Sequence, residues 1–153
     1  MILLKIILTI LLFCSTEQFA QFSIEKFLNE PFNQTYDSVK EKYSDKKSEE
    51  KNVMNFKSIM FYDWLEPISI KVGYMFTKDG NQNGKVLTNG KETDADSEKF
   101  LVLLKAALIN KYGSDFSDKS MLGITMINWN SVEGYSVMVM KESTHTMLTI
   151  IKK

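Results

Sequence analysis

Residues 68–77 read ISIKVGYMFT, and this stretch decides the fold. Apolar side chains occupy every second position, and most of the residues between them are polar or small. Successive side chains of a β-strand point to opposite faces of its sheet, so this period of two predicts a strand with one buried face. The residues on the predicted buried face are Ile68, Ile70, Val72, Tyr74 and Phe76.

Further strands are predicted on both sides of this segment. Residues 53–61 form a strand before it, and residues 85–88 form a short strand after it. Three more strands follow late in the chain, at residues 122–129, 135–142 and 146–151. Turn-forming residues separate these three, with Asn130 and Gly134 in the first connection and Ser143-Thr144 in the second.

The sequence also predicts two main helices. The first contains an apolar stripe at helical spacing, formed by Tyr36, Val39 and Tyr43, with residue 33 or 35 as its N-cap. The second covers residues 97–112, with a cap at residue 94, 96 or 97 and a stop at Gly113. Ser23 caps a short helix at residues 24–29, and the polar residues 44–52 form a solvated helix tail or loop.

The order of these elements predicts an α+β fold for residues 21–153. Along the chain, a helix is followed by two or three strands, then by a second helix and three further strands. The economical arrangement is a two-layer domain, with an antiparallel sheet of five or six strands and the two main helices packed on one face. Whether the two halves arose by duplication stays open, because no residue-level repeat relates them.

Two features of the last third of the chain resemble a broader group of proteins. Lys111-Tyr112-Gly113 ends the second helix, and Trp129 lies in a predicted hairpin. In this combination the chain resembles small exported bacterial α+β proteins, most of which have no known function. The resemblance implies an exported α+β fold and assigns no chemistry.

The N-terminus predicts export to the periplasm or the outside of the cell. Lys5 precedes an apolar run at residues 6–14, and Ala20 precedes the expected cleavage site. This is the pattern of a secretory signal peptide covering residues 1–20, although cleavage near Thr16 stays open. The run is shorter than the roughly 20 apolar residues of a spanning helix, so we expect no membrane span. Lipid modification of Cys14 is less consistent with the sequence because the bulky Phe13 precedes it.

Composition narrows the possible partners. The chain carries 19 basic and 19 acidic residues, and every basic residue is lysine. Arginine forms bidentate hydrogen bonds with phosphates and bases and stacks on bases. A neutral chain without arginine is therefore poorly suited to binding nucleic acids. Cys14 is the one cysteine, and it would leave with the signal peptide. The mature chain would therefore have no disulfide and no thiolate ligand.

Residues 79–86, DGNQNGKV, resemble the front half of a calcium loop. Asp79, Asn81 and Asn83 occupy the first three ligand positions of a helix–loop–helix calcium site, and Gly84 occupies its glycine position. However, Gly90 stands where the bidentate glutamate should be, and a strand precedes the loop in place of a helix. Asp-Gly and Asn-Gly are strong turn formers, so we interpret the segment as a turn and reject the calcium loop.

Methionines in the last hairpin predict a possible soft-metal site. With Ser143-Thr144 as the hairpin tip, Met140 pairs with Met147, and one sheet face carries Met138, Met140, His145 and Met147. Thioether and imidazole groups suit Cu(I). The alternative is that these methionines pack beneath the helix at residues 97–112, which we expect to cover most of this face.

No catalytic constellation is apparent. A serine–histidine hydrolase would have to use His145, the one histidine, and no serine lies in a nucleophile-elbow motif. We therefore predict no catalytic residues and no cofactor. The predicted function is a non-catalytic binding domain of the bacterial cell envelope, with a protein or another envelope component as partner. A Cu(I)-binding protein is the first alternative, and a small hydrolase is the second.

Overall fold

The fold is built on one antiparallel sheet of eight strands. A computed structural model describes residues 21–53, 56–130 and 132–153. The strands run in the order β1-β2-β3-β4-β8-β7-β6-β5, so two four-stranded meanders meet where β4 pairs with β8. Their bounds are β1 Ser48–Val53, β2 Phe56–Leu65, β3 Ile68–Thr77, β4 Gln82–Asn89, β5 Phe116–Met121, β6 Ile124–Trp129, β7 Tyr135–Glu142 and β8 His145–Lys152.

The predicted two-layer α+β fold with five or six strands is wrong. The fold is mostly β, with 47% of the described residues in strands and 25% in helices. The two strands missing from the prediction, β1 and β5, are the edges of the sheet. Their sequences, SEEKNV and FSDKSM, are largely polar. Charged side chains are common on edge strands because they discourage pairing with another chain. Such strands lack the apolar alternation that identified β3.

Three helices accompany the sheet, and their ends follow ordinary capping rules. They are α1 Ile24–Asn29, α2 Tyr36–Lys42 and α3 Asp94–Tyr112. Ser23 and Thr35 cap α1 and α2 as predicted, through bonds from the backbone N–H groups of Lys26 and Ser38. Thr93 caps α3 by accepting a hydrogen bond from Asp96 N, so the cap predicted at residue 94, 96 or 97 is wrong. None of the described helices combines the length and the apolar character that a membrane span requires.

All three helices lie against the same face of the sheet, called the inner face below. Phe27 of α1 contacts Tyr74 at 6.1 Å between ring centroids, and Tyr36 of α2 contacts Phe76 at 5.6 Å. The inner-face side chains of β3 are fully buried, which confirms the predicted buried face of residues 68–77. Phe100, Leu104 and Leu108 of α3 complete the core and are also fully buried.

The predicted end of α3 is confirmed, and it is joined to the sheet. Gly113 has a φ of 81°, a conformation that favours glycine, and its N–H donates to Ile109 O. Its carbonyl accepts a 2.9 Å hydrogen bond from the indole Nε1 of Trp129 on β6. The Lys-Tyr-Gly helix end and the tryptophan hairpin are therefore parts of one contact.

Candidate functional site

The opposite face of the sheet, called the outer face below, has no helix packed on it in the described residues. Ser97 of α3 bonds Thr146 of β8 at 2.7 Å between their hydroxyl oxygens, which places α3 on the inner face. Neighbouring strand residues point to opposite faces, so His145 and Met147 lie on the outer face. The expectation that residues 97–112 cover the methionines is therefore wrong, because α3 packs on the alternate residues of the same strands.

The outer face is apolar over its central strands. Its apolar side chains are mostly half-buried, although no helix in the described part of the chain packs over them. Polar residues lie among them, since Thr149 pairs with both Val86 and Met138, but large exposed apolar patches on soluble proteins often mark binding surfaces. The members of this patch are Met60, Met75, Val86, Met126, Met138, Met140, Met147 and Ile151.

A groove of about 310 Å³ crosses the outer face from β1 to β4 and β8, and its lining includes the charged residues Glu49, Lys51 and Lys71. Gly73 lies at its floor, between Met60 of β2 and Val86 of β4. A side chain at Gly73 would come within 3.2 Å of Met60 Cγ and 3.4 Å of Val86 Cβ. The absence of a side chain at this position therefore helps to keep the groove open.

The predicted pairing of the last hairpin is confirmed. Glu142 pairs with His145 and Met140 with Met147, so Met138, Met140, His145 and Met147 share the outer face. The imidazole of His145 already has a partner on β4. His145 Nε2 bonds Thr88 Oγ1 at 3.2 Å, and Thr88 is the strand partner of Met147 on the side away from β7.

Sequence reasoning missed another methionine. Met126 of β6 pairs directly with Met140, which gives a lateral row of Met126, Met140 and Met147 across three neighbouring strands. Alternation along β6 could have shown that Met126 lies on the opposite face from the buried Ile127 and Trp129. Its pairing with Met140 depends on the connection between β6 and β7, which the sequence does not determine.

The residues of the rejected calcium loop lie in two different local structures. Asp79 belongs to the β3–β4 turn, where Gly80 adopts a φ of 80° and Asn81 O accepts from Thr77 N at 2.8 Å. Asn83 is instead a bulge residue within β4, because Met75 pairs with Gly84 and Phe76 pairs with Gln82. The turn is therefore shorter than predicted, and β4 begins earlier than residue 85.

A buried lysine is the main polar feature that the sequence did not single out. Lys85 is fully buried on the inner face, and its Nζ donates 2.8 Å hydrogen bonds to Phe27 O and Glu30 O at the end of α1. Burial lowers the pKa of Lys85 to about 8, and the nearby Glu30 carboxylate opposes this shift. Lys85 lies two residues before the buried Leu87 on β4, so strand alternation would have placed its side chain on the inner face.

The surroundings of Lys85 indicate a structural role. The Glu30 carboxylate accepts a 2.7 Å bond from the Tyr74 hydroxyl and pairs with Lys42. A cavity of about 520 Å³ lies between residues 28–32 and the end of α3, and Lys111 at its rim donates to Leu28 O at 2.6 Å. Lys85 and Lys111 donate hydrogen bonds to the backbone carbonyls of residues 27–30 and thereby hold the end of α1 on the sheet.

The contacts of His145 offer little support for a hydrolase. The imidazole bonds a threonine hydroxyl, and no carboxylate in the described part of the chain bonds its Nδ1. A general base in hydrolases is normally oriented by such a third group. The described residues also contain no cluster of three or more histidine, cysteine, aspartate or glutamate side chains that could hold a metal ion.

Comparisons with protein-family models, with curated proteins and with solved structures each found no match. The functional interpretation therefore depends on the geometry described above.

Proposed function

We propose that the chain is an exported, non-catalytic interaction domain of the bacterial cell envelope, and that the outer face of its sheet binds a protein partner. The observation that carries this proposal is the methionine-rich surface from β2 to β6, which none of the described helices covers. Burial of such a surface against a partner is favourable by about 25 cal/mol for each Å² of apolar area removed from water.

The chemistry of the surface supports a protein partner. Methionine side chains are flexible and polarisable, and they can adapt their shape to an apolar partner. The groove at Gly73 offers a recess for an apolar side chain of the partner. The edge strands β1 and β5 are charged and discourage association through strand addition. The sheet face is therefore a better candidate for the interface than the sheet edges.

Export is a separate part of the proposal. It is supported by the charged start, the apolar run and Ala20 in residues 1–20, which lie outside the residues that the structure describes. The absence of arginine makes nucleic acid a poor partner. A periplasmic or secreted location would bring the domain into contact with envelope proteins.

Oxidative footprinting of methionines tests the proposed interface. The mature protein is oxidised briefly in buffer and in a detergent extract of envelope proteins, and sulfoxide formation is measured by mass spectrometry. We expect the extract to protect Met60 and Met75. Met121, which is 68% exposed at the β5–β6 turn, should stay reactive as an internal control.

Two charge variants locate the interface. Val86→Glu introduces a charge into the groove and should abolish the protection of Met60 and Met75. Val102→Glu is the matched control because Val102 is 65% exposed on the outward side of α3, beside the exposed Leu103 and Ile109. Protection that is lost in Val102→Glu and retained in Val86→Glu would place the interface on α3. An extract that protects neither methionine in the native protein would contradict the proposal.

A further inference from the structure

We propose that Met126, Met140 and Met147 form a binding site for a soft monovalent cation such as Cu(I). The inference does not depend on the proposed protein partner. It changes the ligand set suggested by the sequence, because it adds Met126 and leaves out His145. The observation that carries it is the register, which pairs Met126 with Met140 and Met140 with Met147.

The spacing of the row suits three ligands. Neighbouring strands are about 4.8 Å apart, so the backbones of Met126 and Met147 lie roughly 10 Å from each other with Met140 midway. A methionine side chain has three rotatable bonds, so the outer two thioethers can lean toward the middle one. The three side chains are half-buried and none of the described helices covers them, which leaves a path for an ion from solvent.

The chemistry of the row favours soft ions over hard ones. Thioether sulfur is a neutral, soft ligand that selects Cu(I) over hard cations such as Mg²⁺ and Ca²⁺. Neighbouring charges are balanced, since Lys119 pairs with Met126 and Glu142 lies on the same face of β7 two residues from Met140. Selectivity would therefore come from the sulfur atoms themselves. Met138 lies on the same face of β7 and could supply a fourth thioether.

The bond between His145 and Thr88 gives the site a distinguishing property. Because the imidazole is held on the β4 side, the proposed site contains only thioethers. Replacement of His145 should therefore leave the affinity of the methionine row unchanged, whereas it should weaken a site that used the imidazole.

Titration with Ag(I), a stable substitute for Cu(I), tests the site in the mature protein. The ε-methyl NMR signals of the methionines are followed together with the dissociation constant. We expect saturation at one equivalent, with shifts at Met126, Met140 and Met147 and none at Met60. Met140→Leu should lower the affinity by roughly tenfold or more, whereas the control Met75→Leu, on the same face outside the row, should leave it unchanged.

Two further measurements complete the test. Circular dichroism and thermal melting establish that Met140→Leu is folded, and Met126→Leu replaces it if it is not. His145→Ala should bind Ag(I) with the affinity of the native protein. The proposal is overturned if saturation is absent, if the folded row variant binds as tightly as the native protein, or if His145→Ala removes the binding.

Discussion

The buried ammonium group of Lys85 should make the stability of this protein rise with pH between 7 and 10. Lys85 is fully buried, and its pKa is lowered from 10.5 to about 8, first by burial. Below pH 8 the lysine is charged in both the folded and the unfolded chain, so the full cost of burying the charge is present. Above pH 10.5 it is neutral in both states, and that cost is absent.

The magnitude follows from the two pKa values. Each unit of difference corresponds to about 1.36 kcal/mol, and linkage between pH 7 and pH 10 gives a gain of about 2.5 kcal/mol in the free energy of unfolding. Tyr43 and Tyr74 oppose this trend at higher pH because burial raises the pKa of each hydroxyl. A comparison with Lys85→Met removes their contribution, since both proteins retain the tyrosines.

Urea unfolding at pH 7 and pH 10, followed by the fluorescence of the buried Trp129, measures the effect. We expect the native protein to gain about 2.5 kcal/mol relative to Lys85→Met over this interval. Lys99→Met is the matched control because Lys99 is exposed on α3, and its difference from the native protein should be the same at both pH values. A pH-independent difference for Lys85→Met would refute the burial of a charged lysine.

Three further predictions concern stability and can be measured by the same unfolding assay at pH 7. Leu104→Ala should cost about 2–5 kcal/mol because the side chain is fully buried, whereas Leu103→Ala, at a position 39% exposed, should cost much less. Thr93→Ala should cost about 1 kcal/mol, since the hydroxyl caps α3. Asp79→Ala should cost less than about 1 kcal/mol, and millimolar calcium should leave the melting temperature unchanged; a rise of several degrees would revive the calcium loop.

Local patterns were sufficient for the elements that carry strong signals. The alternation in residues 68–77 predicted the bounds and the buried face of β3. Ser143-Thr144 predicted the tip of the last hairpin and therefore its register, because a short turn leaves little freedom in pairing. Gly113 marked the end of α3 for a backbone reason, since its φ is positive. In each case the determining interaction spans only a few residues.

The rest depended on contacts between distant parts of the chain. The edge strands β1 and β5 could not be predicted because their polar sequences are held by pairing with β2 and β6. Alternation from Leu87 could have placed Lys85 on the inner side of β4, but the bonds that satisfy its buried ammonium group come from α1, more than fifty residues away in sequence. The position of Met126 beside Met140 likewise depends on the register between two strands.

The sequence by itself determined which residues share a face of each strand, because side chains alternate along the backbone wherever the strand is placed. It did not determine which face would be covered. Both faces of β7 and β8 carry apolar residues, Val139 and Leu148 on one side and Met140 and Met147 on the other, so alternation alone is symmetric. The tertiary structure decided between them, because α3 docks through Ser97 and Thr146 and buries one face, whereas no described helix covers the methionine face.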